Sequence, residues 1–298
     1  MTYFQLVVDG LSIGSLYALI ALAMVIIYKT SEVPNFAQGE MAMLSTFVAY
    51  HLMFFYGYSY LASFVGALCF AVLLAVIFEF AFLRRAKEPN ILNFIIITLG
   101  FERSLYGLAG WKWGADQRYY PSNFDPLPIS SSGIFSFGNI VLSHISLVIM
   151  IVTVVLISLL VIFFKYTKLG VAMKATQQNQ MASKINGIRT NRIMSITWGI
   201  SAIVGAIAGM LFVPGTATPL DGNIMLAPLI KGFAAAVLGG MTTMVGPIGG
   251  GFILGIIEKF FGFYVSSEFE TVVSFTIIVL VLWFRPSGLF SKHYVRKV

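Results

Sequence analysis

Charge is what this chain has least of. Of its 298 residues, 19 are Lys or Arg and 12 are Asp or Glu, 10% in all. A soluble domain carries about 25%. With 58% apolar residues and a mean hydropathy of +0.88, the chain reads as one integral membrane domain over residues 1–298. Cysteine is scarcer still. Cys69 stands alone in an apolar run, which excludes an internal disulfide and a Cys-based metal site, and reads as a small core residue. The three histidines, His51, His144 and His293, are far apart, and none has the H-E-x-x-H spacing. No G-x-x-x-x-G-K-[ST] phosphate loop occurs, so ATP hydrolysis is not expected of this chain. No acid, base and metal cluster marks an enzyme. Alternating strands are missing too: runs such as VIMIVTVVLISLLVIFF do not alternate, which excludes a closed barrel.

What remains is long apolar helices. A crossing needs about 20 apolar residues. Stretches near 7–28, 41–56, 60–83, 91–110, 140–164, 193–213 and 270–284 qualify, together with a longer apolar region at 226–264. The expected fold is an all-α polytopic bundle of eight or nine membrane segments. The apolar start continues past Ala21-Leu22-Ala23 to Tyr28 with no preceding cation, so it reads as an uncleaved first span rather than a signal peptide.

The cations orient the bundle. Lys29 ends the first span, and Arg84, Arg85 and Lys87 end the third. Arg285, Lys292, Arg296 and Lys297 follow the last. The fifth span is followed by a polar island, 165–192, with six of the nineteen Lys and Arg and no acid. All of these fall on one side if the N-terminus is outside and the C-terminus cytoplasmic. The opposite loop, 111–139, keeps Lys112 and Arg118 and is rich in aromatics and proline: Trp111, Trp113, Tyr119, Tyr120, Pro121, Pro126 and Pro128. An interfacial aromatic belt and a docking surface would use the same residues. The net charge of +7 therefore marks membrane anchors, not nucleic acid.

Three segments are irregular. The island predicts an amphipathic helix from about Val171 to Ile185, stopped by Gly187. Region 226–264 holds Gly239, Gly240, Gly246, Pro247, Gly249, Gly250 and Gly251 in its middle. Two short helices joined by a turn at membrane depth fit it, as does a set of glycines that lets helices approach closely. SEVPNFAQGE, 31–40, is either a plain turn or an unwound entry to the second span. Charges inside spans are costly and need partners. Glu102 and Arg103 are adjacent and point apart on a helix, so each is expected to find its own partner. Lys231 is a further candidate, while Glu79 and Glu258 sit near helix ends where they can reach the interface. Pairing between helices and handling of protons or substrate both remain open for these groups.

Several blocks resemble the hydrophobic amino acid uptake family, the membrane subunits of ABC importers for branched-chain amino acids. They are DGLSIGSLYALIALAMVIIYKT, PNFAQGE at 34–40, MASKINGIRTNR at 181–192, VLGGMTTMVGPIGGGFILGIIE at 237–258 and RPSGLF at 285–290. The resemblance spans nearly the whole chain. It implies a non-catalytic permease of a bacterial inner membrane, which works with a second permease subunit, identical or homologous. Two cytoplasmic ATPases carrying ATP and magnesium, and a periplasmic or extracellular binding protein, complete such a system, and no cofactor is expected on this chain. It also implies a coupling helix with an E-A-A-x-x-x-G pattern. Met181-Ala182-Ser183 and Gly187 match its spacing, with Met181 at the acidic position. Val171, Lys174, Ala175 and Arg189 complete the expected ATPase contact. Polar liners of the path would be Asn35, Gln38, Ser45 and Thr46, with Gly249 and Gly250 at the broken region. Relatives in this group that move urea or short amides, and a self-contained secondary transporter using Glu102 and Arg103, are the competing readings.

Overall fold

The computed structural model describes residues 3–31, 33–86, 91–120, 134–137, 140–285 and 287–290. Lys87, Pro121, Pro126, Pro128, Lys292, His293, Arg296 and Lys297 lie outside these residues. The chain is a helical bundle. In order come α1 (Tyr3–Ser31), α2 (Gln38–Phe54), α3 (Tyr60–Phe78) with a π-helical turn Glu79–Leu83, and α4 (Ile91–Trp113). A short hairpin of β1 (Ile134–Phe137) and β2 (Ile140–Ser143) precedes α5 (His144–Tyr166). Then follow α6 (Lys168–Gln178), α7 (Gln180–Ile185), α8 (Thr190–Thr216), α9 (Leu226–Gly239), α10 (Gly246–Tyr264) and α11 (Glu270–Phe284).

Six of these helices, α1, α3 with its π turn, α4, α5, α8 and α10, are long and apolar enough to cross a membrane. Burial ranks them. α1 and α8 are enclosed along most of their length, whereas α3, α4 and α5 are largely exposed. A helix that is apolar all round belongs in the middle, and α1 fills that place. Cys69 is exposed on α3 rather than packed in the core. The start of the expected span at 140 is instead a strand, paired antiparallel with Ile134 opposite Ser143 and Phe137 opposite Ile140. Gly138-Asn139 between two apolar tetrapeptides was the available signal.

The seam between α1 and α10 is glycine against glycine. A Cβ on Gly255 would stand 2.4 Å from Gly10 O, and one on Gly14 would stand 2.8 Å from Gly251 O. Gly10, Gly14 and Ala18 on α1 thus meet Gly251 and Gly255 on α10, both sets at four-residue spacing, so the backbones touch. This supports the close-packing reading of the glycines. The turn 240–245 sits beside the Lys29 end of α1. Met244 shares a small cavity with Lys29, Thr30 and Lys174 at the end of α1. The backbone amides of Leu289 and Phe290, beyond α11, donate to Leu238 O and Gly239 O at 2.8 and 3.2 Å. The turn therefore lies with the basic end of the molecule. Region 226–264 is two antiparallel helices of 14 and 19 residues, about 21 and 28 Å long.

The segment before α2 is an unwound, buried entry. Val33, Asn35 and Ala37 are 2%, 0% and 0% exposed. Buried irregular backbone needs internal partners. Asn35 supplies one: its Oδ1 accepts from Ala37 N at 3.1 Å.

Candidate functional site

The basic end carries the island. It forms two helices, not the single one expected over Val171–Ile185. Thr167 opens α6, its hydroxyl accepting from Gly170 N at 3.0 Å. Asn179 breaks the run. Its backbone is extended, at φ −157° and ψ 106°, and its Oδ1 accepts from Ala182 N at 2.9 Å, so it ends α6 and caps α7. An Asn competes with helix continuation through such a side-chain bond. Gly187, at φ +81°, closes α7, and Ile188 N donates back to Ser183 O at 3.0 Å.

The two helices sit flat on the bundle by one face. Gly170, Met173 and Thr176 of α6 and Ser183 of α7 are buried. Val171, Lys174, Ala182, Gly187 and Arg189 are exposed, and Ala175 is half-buried. Met181 and Ile185, one turn apart on α7, are 70% and 80% exposed. Two large apolar side chains thus project from the basic end.

Behind the island lies a cavity of about 560 Å³. The end of α1, the π turn, the start of α4, the α6–α7 break and the start of α8 enclose it; Lys29, Asn35, Glu79, Arg84, Gln178 and Asn191 are among its lining. Glu79 does not reach the interface: it is 2% exposed. Arg84 Nη2 donates to both of its oxygens, at 3.2 and 3.1 Å, and Ser195 Oγ donates to Glu79 Oε2 at 2.7 Å. The π turn brings the pair together, because Arg84 N reaches back five residues to Glu79 O at 2.9 Å. The α3 end is thereby tied to α8.

The other sequence candidates fall into separate groups. Asn35 and Gln38 join Ser201 of α8 in a buried node. Asn35 Nδ2 donates to Gln38 Oε1 at 3.1 Å, Gln38 Nε2 donates to Ser201 O at 3.3 Å, and Ser201 Oγ lies 2.7 Å from Ala23 O. Ser45 and Thr46 are fully buried, each donating to the carbonyl four residues back, Met41 O at 2.7 Å and Ala42 O at 2.9 Å. Gly249 lies against the Phe290 ring, and a Cβ on Gly250 would stand 2.0 Å from Ala235 O.

Glu102 and Arg103 pair with each other, Nε to Oε2 at 2.9 Å, instead of finding separate partners. Long side chains bend round the helix further than their Cα directions suggest. The Glu40 carboxyl lies against that of Glu102. Glu258 has no exposed surface. It meets Lys231 of α9, accepts from Tyr17 OH of α1 at 3.1 Å, and has Glu270 of α11 beyond Lys231 at 3.8 Å. Tyr17, Glu40, Ser201 and Glu270 are the partners that sequence reasoning missed. They lie up to 241 residues from the groups they serve, and no spacing signals such a meeting.

Comparisons with known proteins bear on the whole chain. A family model described as the permease component of branched-chain amino acid transport systems matches residues 6–282. The high-affinity branched-chain amino acid transport system permease protein LivH of Salmonella typhimurium is 31% identical over 99% of this chain and 98% of that protein. BraD of Pseudomonas aeruginosa, which bears the same description, is 30% identical over 99% and 98%. Among solved structures, a chain of PsaBC from Streptococcus pneumoniae in complex with Fab superposes with a TM-score of 0.52 at 14% identity. It covers 96% of this chain and 93% of that one, a likeness of fold alone.

Proposed function

This chain belongs to the family of permease components of branched-chain amino acid transport systems, and from that premise we propose how it serves an ATP-driven importer. It is a multi-pass, non-catalytic membrane subunit. Its cargo is branched-chain or other hydrophobic amino acids, which a binding protein delivers at the outer face. A second permease subunit completes the path, and two ATPase subunits, which hold ATP and magnesium, drive it.

The observation that carries the coupling role is the α6–α7 bracket. It lies flat on the bundle and presents Met181 and Ile185 outward. Val171, Lys174 and Ala175 on α6, with Met181, Ala182, Gly187 and Arg189 around α7, form the seat for the ATPase; Ser183, expected there from the sequence, faces the bundle instead because it lies on the buried side of α7. Apolar packing at Met181 takes the place of the carboxylate that the family's coupling pattern carries there. Helix-in-groove docking needs apolar anchors one turn apart, which Met181 and Ile185 supply.

Nine crossings, by α1 to α5 and α8 to α11, put the N-terminus outside and the C-terminus in the cytoplasm. The turn 240–245 beside Lys29 supports that count, since it makes α9 and α10 two separate crossings. The basic residues at that end support the orientation.

The test is expression with candidate ATPases, a second permease and a binding protein encoded nearby. The expected result is a complex that co-purifies and takes up radiolabelled leucine, isoleucine or valine only with ATP and the binding protein. Uptake by the purified chain alone, driven by an ion gradient, would sink the proposal.

A further inference from the structure

In a membrane-spanning bundle an exposed face meets either lipid or another protein. The exposed faces of α3, α5 and α11 are large and apolar, as Leu73, Ile77, Val154, Leu159, Val279 and Leu282 illustrate. Acyl chains suit them. α4 differs. Gly100, Arg103, Gly107 and Gly110 recur three and four residues apart and share one side of the helix. Among the described residues, nothing lies within 4 Å of a Cβ built on any of those three glycines. The Arg103 side chain is 73% exposed.

Depth makes this exposure informative. Arg103 stands about 18 Å along the axis from Ile91 and about 15 Å from Trp113 at 1.5 Å per residue. That is near the middle of the span. A guanidinium facing hydrocarbon there is costly to insert, so such groups face protein or water. Glu102 pairs with Arg103 from the inward flank, and Glu40 stands behind it. The bundle encloses the two carboxyls, 7% and 5% exposed, and leaves the cation outside.

We propose that this face of α4 is the seam against the second permease subunit. The inference rests on the importer reading, which supplies that subunit, and adds where it sits. A soluble binding protein or an ATPase cannot reach mid-membrane, so a second membrane-embedded chain is the occupant that fits. Small residues let its helix come close, and a polar seam solvates the guanidinium where lipid would not.

The experiment places a photo-reactive benzoylphenylalanine at Leu99, which is 44% exposed and one turn before Arg103, in the assembled complex. The same residue at Leu159 of α5, 61% exposed, is the control. Both sites are open, so neither substitution disturbs the core. Irradiation is expected to join the Leu99 variant covalently to the second permease, giving a species at the summed mass, while the Leu159 variant gives none. Failure of the unmodified chain to co-purify with a second permease would overturn the importer reading and this seam with it. Co-purification with no protein adduct from Leu99, or with equal adducts from Leu159, would overturn the seam alone.

Discussion

Glu258 shows what a buried charge demands of its neighbours. With no exposed surface, it depends on Lys231 and on the Tyr17 hydroxyl. Removing one partner of such a pair strands the other in a low-dielectric interior, at a cost of about 3–5 kcal/mol. Lys231→Met is therefore expected to lower the Tm of the purified chain sharply. The double variant Lys231→Met/Glu258→Leu is expected to recover most of the loss, because no fully buried charge is left without a partner; Glu270, which also loses Lys231, is partly exposed to solvent. Equal Tm values for the single variant and the parent would show that the pair does not hold α9 to α10. Glu79 and Arg84 form a milder case. The Arg84 side chain is 30% exposed, and solvent screening reduces what its pairing contributes.

The helices meet through features that single residues create. On α10, Gly255 lets α1 come within contact of its backbone. Gly255→Leu places a side chain where Gly10 O already stands, and its α-helical neighbours leave no slack. We expect loss of folded, monodisperse protein in detergent for this variant, read by size-exclusion chromatography. A normal elution profile would mean that the seam can open. The α6–α7 bracket rests on a smaller device. Asn179→Ala removes the cap of α7, about 1 kcal/mol. The bundle should keep its Tm, while ATPase recovery in pull-downs falls as α7 frays or merges with α6. Unchanged recovery would show that the break at Asn179 is not needed for docking.

For the molecule as a whole, coupling and stability should separate. Met181 and Ile185 contribute to no core, being 70% and 80% exposed. Replacing both by Asp should leave Tm unchanged and weaken the ATPase contact by about 2 kcal/mol or more, roughly 30-fold. Uptake of leucine should fall with it. Full uptake by that variant would remove α7 from the ATPase interface. The seam proposed on α4 concerns a different surface, and a defect there should leave ATPase binding intact.

Much of the architecture is legible in the sequence. Apolar length marked the helices within a few residues, since the bilayer sets how long an apolar run must be. Gly187 marked the end of the island's helix, and the order of the motif blocks marked the family. Periodicity and hydropathy are local properties, and these were local questions. Only the tertiary structure decided which charges meet, because Tyr17 and Glu258 are brought together by packing and not by spacing. It also decided that the glycines of 246–255 serve a seam with α1 and that the turn before them lies at the basic end. The break at Asn179 was hidden for another reason: an Asn tolerates a helix interior or caps a new one, and the bundle beneath selects between them. Sequence thus determined that this is a membrane permease of nearly known span. The meeting of distant backbones determined which of its faces are closed, and left the Arg103 face of α4 open for a partner.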